Sequence, residues 1–226
     1  LCTGVSTLAK LLNPKIKVIA VEPTGAACLK ASLEAGEVTT VSKINTIADG
    51  TAVQTPGDKL FPYLQANVDQ VITVDDSELT LSFLDMAENH KMIVENSGLL
   101  TVAALKHLDF KGKKVVSVLS GGNMDVLTMA TVVQNGLMQR DRIFTVSVML
   151  PDKPGQLAAV SALIAKEQGN VIKLEHNVFA NVNRTAGVEL TITLESFGTE
   201  HKDQIIKALE TAGYCPVISK TSGIYM

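Results

Sequence analysis

Ser120-Gly121-Gly122-Asn123 is the stretch best suited to chemistry. It follows the apolar run Val115 to Leu119 (VVSVL) and precedes a helical pattern that begins near Asp125. Two glycines at a strand-to-helix turn let the backbone approach a ligand with no Cβ in the way. The helix start beyond them offers free N–H groups and positive potential. A serine hydroxyl both donates and accepts, which suits a heteroaromatic nitrogen that must stay unprotonated. Taken alone, the turn fits an ordinary strand-to-helix connection equally well. A second candidate is Leu150 to Leu157 (LPDKPGQL), which joins a strand to a helix, with Pro154 at a first-turn position and Gly155 beside it. Its backbone N–H groups are free to bind, and Asp152 can hold a ligand amine or cap the helix.

Two kinds of framework carry these turns. Over the first 140 residues, Lys17 to Val21, Val71 to Val74 and Val115 to Leu119 are continuous apolar runs. Such runs suit strands buried on both faces of a parallel sheet. Between them, Ser77 to His90 carries Leu79, Phe83, Met86 and Ala87 at helical spacing, with Asp75 and Glu78 as a capping-box pair. Ser97-Gly98 opens a further helix that runs to about His107. This α/β layer places sites at the carboxyl ends of its strands. After Arg140, Ile143 to Leu150 alternates, and Val188, Leu190, Ile192 and Leu194 alternate with Glu189, Thr191, Thr193 and Glu195. One wet face per strand means an antiparallel sheet covered on one side. With helical stripes at Leu157, Val160, Ile164 and at Ile205, Ile206, Leu209, the order is the ferredoxin-like βαββαβ arrangement. The polar stretch Gln134 to Arg142 reads as the linker, with domains over 1–138 and 143–226 and the connection itself at 139–142.

The bulk properties narrow the function. The 226 residues are 46% hydrophobic and 19% charged, as in a packed protein, and the net charge of −3 argues against nucleic-acid partners. No apolar stretch reaches the length of a membrane span, and Leu1-Cys2-Thr3-Gly4 has no secretory pattern, so the expected place is the cytoplasm. Cys2, Cys28 and Cys215 form no CxxC pair and read as reduced, buried thiols. His90, His107 and His201 show no ligand spacing; Met86, Met92 and Met124 read as packing residues, and Asp75-Asp76 as a helix cap. No G-x-G-x-x-G follows a strand, which disfavours a nicotinamide enzyme.

Four stretches stand in one family's order and approximate spacing: Val18 to Pro23 (VIAVEP), Ile47 to Gly50 (IADG), Ile93 to Gly98 (IVENSG) and Val116 to Asn123 (VSVLSGGN). Over roughly 1–138 the chain therefore resembles the threonine dehydratase and serine racemase branch of the fold-type II pyridoxal-phosphate enzymes, an α/β three-layer domain of the tryptophan synthase β-like kind. The resemblance implies that Ser120 faces the pyridine nitrogen of pyridoxal phosphate, leaving it unprotonated and favouring β-elimination. It places Gly121 in the same turn, Gly50 at the cofactor's edge, Glu95 nearby as a supporting polar group, and Leu1 just after a glycine-rich phosphate loop. Glu22 and the carbonyl of Ala26 match a cation site of some relatives; its third carboxylate position is Cys28 here, which favours a monovalent ion or none. The family's imine-forming lysine lies in an upstream Ser-Phe-Lys-type motif that this sequence lacks. The expectation is a fragment without turnover of its own.

Over about 143–221 the chain resembles ACT domains, small amino-acid sensors that pair side by side. The resemblance implies that Asp152, Gly155, Gln156 and Leu157 meet Asn170 and Ile172 of a second copy around an amino acid. Here Gly169-Asn170-Val171-Ile172 carries its asparagine one position away from the family's place. Together these resemblances imply a threonine ammonia-lyase, giving 2-oxobutanoate and ammonia, with isoleucine or valine as effector. Alternatives are a regulatory, dimerising fragment alone, or a serine dehydratase or racemase relative.

Overall fold

The computed structural model describes residues 1–177 and 187–219. The parts of the sensor-like range at 178–186 and 220–226 lie outside the described residues. The chain divides into two compact units, Leu1–Gly136 and Leu137–Met226.

In the first unit, β1 (Ile19–Pro23) and β2 (Gln70–Val74) pair in parallel, from Ile19 opposite Gln70 to Pro23 opposite Val74. Helices α1 (Cys2–Leu12), α2 (Cys28–Ala35) and α3 (Phe61–Asn67) surround this pair. Ala20, Leu29, Phe61 and Leu64 form a small cluster there, with Cys2 packed against it. The larger core gathers Val74, Leu79, Phe83, Met86, Val94, Leu99 and Leu100. Each such side chain contributes about 1.5–3 kcal/mol on burial. Leu79, Phe83 and Met86 recur at helical spacing because α4 (Asp76–Asp85), continued by a wider π-helical turn over Met86–His90, presents one face to that core. Asp75 starts α4: its N–H donates to Glu78 Oε2 at 2.8 Å, completing the capping box. Two 3₁₀ turns, Asn96–Leu99 and Ala104–His107, flank the short α5 (Leu100–Ala103).

Four expectations fail here. Val115 to Leu119 makes no strand among the described residues, and Val116 is 88% exposed. An apolar run becomes a strand only where a neighbour supplies the other half of the ladder. Gln134 to Gln139 is not linker but the end of α6 (Val126–Gln139), where Gly136 admits Leu84: a Cβ there would lie 2.6 Å from its Cδ1. Only Arg140 to Arg142 turns. Of the cysteines, Cys28 alone is buried; Cys2 is half-buried and Cys215 exposed, all three being free thiols. Met92 is likewise exposed rather than packed.

The second unit is a four-stranded antiparallel sheet in the order β4-β5-β3-β6. It is built from β3 (Ile143–Leu150), β4 (Asn170–Asn177), β5 (Val188–Glu195) and β6 (Val217–Ser219). Helices α7 (Gln156–Lys166) and α8 (Thr199–Thr211) cover one face. Phe144, Val146, Val148 and Leu150 of β3, with Leu190, Ile192 and Leu194 of β5, point to that face and meet Val160, Ile164, Ile205 and Leu209. The alternation of both strands is thus a core face and an outer face. The outer face carries hydroxyl pairs across β3 and β5: Thr145 to Thr193 at 3.0 Å and Ser147 to Thr191 at 3.1 Å. Among the described residues no helix is long and apolar enough to cross a membrane.

Candidate functional site

Three stretches far apart in sequence converge in the first unit. The turn after Leu119 puts Gly121 at φ +89°, a left-handed conformation that favours glycine. A Cβ there would lie 2.1 Å from Oε1 of Glu95, so the absent side chain is the room the carboxylate occupies. The Glu95 N–H donates to the Gly121 carbonyl at 3.3 Å, and Glu95 Oε2 accepts the Asn123 N–H at 3.1 Å. Gly98 closes the contact from the same strand of chain, since a Cβ on it would meet the Ser120 carbonyl at 2.1 Å. Gly50, in the 3₁₀ turn Asp49–Thr51, joins from a third side. A Cβ on Gly50 would lie 2.9 Å from Ser97 Oγ and 3.8 Å from Glu95 Oε1.

Of the residues read from the sequence, the structure therefore brings together Gly50, Glu95, Ser120 and Gly121. Leu1 is the exposed N-cap of α1, whose Cys2 packs into the smaller cluster. Sequence reasoning missed Ser97, whose Oγ is buried without a hydrogen-bond partner. The signal was present in its place between Glu95 and Gly98, but its burial depends on Gly50, 47 positions earlier.

Glu22 and Ala26 lie at the carboxyl end of β1. Both oxygens of Glu22 serve the first turn of α2: Oε1 accepts the Leu29 N–H and Oε2 the Lys30 N–H, each at 2.9 Å, with the Cys28 thiol 3.8 Å from Oε1. Burial raises the Glu22 carboxyl above its ordinary range, against the lowering by those N–H groups, and burial likewise raises the thiol of Cys28. Among the described residues no group of three or more His, Cys, Asp or Glu side chains is placed to hold a metal.

In the second unit, Gly155 caps α7 in a left-handed conformation (φ +89°), with no side-chain cap; Gln156 and Leu157 form the first turn. Asp152 therefore does not cap this helix, and Pro154 precedes the cap instead of lying in the first turn. Asn170 opens β4, its Nδ2 donating to Glu195 Oε2 at 3.0 Å, and Ile172 sits in a register shift between Val171 and Lys173. Asn170 pairs with Glu195, which pairs with Ile143, while the Asp152 turn follows Leu150. Within one copy the two halves of the sensor-like set lie at opposite ends of the sheet, on the order of 20 Å apart. His201 packs elsewhere: its Nδ1 accepts the Phe197 N–H at 3.0 Å and its ring stacks on Phe197.

The profile of the family described as Pyridoxal-phosphate dependent enzyme matches residues 1–121. The chain belongs to this family. Pyridoxal phosphate is the cofactor that membership implies. The chain is 35% identical, over 95% of its length, to the L-threonine ammonia-lyase of Geobacter sulfurreducens, covering 54% of that protein. Among solved structures it resembles the processed form of threonine deaminase isoform 2 from Solanum lycopersicum, with TM-score 0.56 and 32% identity over 60% of this chain and 40% of that one. It also resembles maize serine racemase, with TM-score 0.53 and 35% identity over 58% and 43%. The chain spans about half the length of the curated relatives it matches.

Proposed function

We propose that this chain forms the ring-side wall of a pyridoxal-phosphate-dependent threonine ammonia-lyase, joined to an ACT-type sensor of isoleucine or valine. The observation that carries the first part is the convergence of Gly50, Glu95 and Gly121 beside the orphan hydroxyl of Ser97, all within the residues that the family profile matches. A buried hydroxyl with no partner is a group that a polar-edged ring would satisfy. When bound, the cofactor withdraws electrons from the Cα of an amino acid, so that its proton can leave and a β-hydroxyl can depart.

The chain's own residues then divide the work. Gly121 and Gly50 admit Glu95 and Ser97, and the half-buried Glu95, which accepts the Asn123 N–H, would orient the Ser120 turn toward the ring. Ser120, being neutral, would face the ring nitrogen without protonating it. Glu22 and Ala26 hold at most a monovalent cation, because Glu22 already spends its oxygens on α2. Leu1 would lie on the phosphate side of the cofactor. Threonine is favoured over serine by the names of two curated relatives, both L-threonine ammonia-lyases.

For the second part, the βαββαβ order supports an ACT-type module over 143–226, and two copies would unite Asp152, Gly155, Gln156 and Leu157 of one with Asn170 and Ile172 of the other. Two measurements test the proposal. Titration with pyridoxal 5′-phosphate should show saturable binding that Gly50→Val abolishes; no binding by the native chain would sink the cofactor reading. Calorimetry should give saturable heat for isoleucine or valine and none for either after Asp152→Ala; absence of heat from the native chain would sink the sensor reading.

A further inference from the structure

The loop that carries Gly50 is fastened by side chains that the cofactor reading does not use. Asp75 and Glu78 complete the capping box of α4, which leaves the carboxylate of Asp76 available for another purpose. It reaches back thirty residues: Oδ1 accepts the Thr46 hydroxyl at 2.6 Å, and Oδ2 accepts the Ile47 N–H at 3.0 Å. The same Thr46 hydroxyl oxygen accepts the Ala48 N–H at 3.1 Å. From the opposite side, Asn96 Nδ2 donates to the Ile47 carbonyl at 3.0 Å. Ile47 is therefore held at its N–H by one element and at its C=O by another. Beyond it, the fully buried Ala48 accepts both the hydroxyl and the N–H of Thr51, closing the turn that contains Gly50.

Asn96 is 4% exposed and leaves its Oδ1 buried without a partner. An unpaired buried carbonyl oxygen is costly, and an apolar residue beside Val94 and Leu99 would avoid that cost. The arrangement gives up stability in return for placing Ile47, and with it the turn whose Gly50 meets Ser97 and Glu95. We propose that Asp76, Thr46 and Asn96 are positioning residues that fix the Gly50 turn for the pyridoxal-phosphate ring. The placement of the turn stands on the structure alone; its purpose rests on the cofactor reading above.

Hydrogen exchange on the 226-residue chain, without cofactor, reads the clamp directly. In Thr46→Val and in Asn96→Ala, the amides of Ile47, Ala48 and Thr51 should exchange about tenfold faster, the loss of one such hydrogen bond. Amides of α4 and of Leu99 to Ala104 should keep their native rates, which shows that the unit remains folded. Thr46→Ser, which keeps the hydroxyl, should restore protection. Titration with pyridoxal 5′-phosphate should weaken by about tenfold in the first two variants and recover in Thr46→Ser. Unchanged exchange in the loop overturns the clamp, whatever the titration gives. Faster exchange with unchanged cofactor affinity overturns the positioning role. If the native chain binds no pyridoxal phosphate, the cofactor reading falls, and the exchange rates still decide whether the clamp orders the turn.

Discussion

Replacing Gly121 by alanine separates steric meaning from backbone strain, because the same unit offers a control. Gly121 and Gly112 both have positive φ, +89° and +74°. A Cβ on Gly112 meets nothing within 4 Å, whereas one on Gly121 would sit 2.1 Å from Glu95 Oε1 and 2.3 Å from its Cδ. Gly112→Ala should therefore cost only the left-handed backbone penalty, about 1 kcal/mol. Gly121→Ala carries the same penalty and also displaces the carboxylate. The carboxylate ends a flexible side chain and can swing aside, but doing so breaks its bond to the Asn123 N–H, worth about 1.5–3 kcal/mol for a charged acceptor. The expected total for Gly121→Ala is about 2.5–4 kcal/mol. Urea unfolding of both variants measures the difference, and pyridoxal 5′-phosphate titration should weaken far more for Gly121→Ala than for Gly112→Ala. Equal midpoints and equal affinities would refute the view that Gly121 is glycine in order to admit Glu95.

Glu78 accepts the Asp75 N–H and pairs with Lys106 and His107, each at 2.8 Å; burial opposes its ionisation, but these bonds outweigh it and hold the carboxyl below its usual range. Its contribution is then present above the unfolded value of about 4.3 and lost as pH falls through the folded value, so Glu78→Gln should lower the urea midpoint at neutral pH and lose that effect in acid. On the outer face of the second sheet, Thr145→Val leaves the buried Thr193 hydroxyl without its partner and should cost about 1 kcal/mol. The double variant with Thr193→Val should recover most of it, and a purely additive thermal-melt result would contradict the pairing. Leu12, 76% exposed, and Val116 expose apolar surface on the first unit. The chain should self-associate with concentration, and Leu12→Lys with Val116→Lys should reduce this in sedimentation velocity.

What the sequence discloses depends on whether a residue's role is local. The capping box of Asp75 and Glu78 links residues three positions apart, and Val188 to Glu195 separates an apolar core face from a polar opposite face in its own alternation, although Thr193 of the polar face is itself buried. Both are readable without knowing the fold. Val115 to Leu119 has the composition of a buried strand, but a ladder belongs to two segments, and composition describes one. The acidic pair Asp75-Asp76 misled for a related reason: a helix start needs one capping carboxylate, and the second serves Thr46 and Ile47, which no local rule connects to it. The mutual fit of Gly121 and Glu95 is equally non-local, since a glycine reports missing volume without naming the atom that fills it. The sensor-like set shows the same division at larger scale. Asp152 and Asn170 each sit in a turn whose type is legible, yet β4 runs in the same direction as β3, with β5 between them. One turn therefore leaves the carboxyl end of β3 while the other enters the amino end of β4. No relaxation of a single copy brings opposite ends of a sheet together. If both turns serve one amino acid, the ligand has to be shared between two copies, and its affinity has to fall when the protein is diluted below the concentration at which the copies pair.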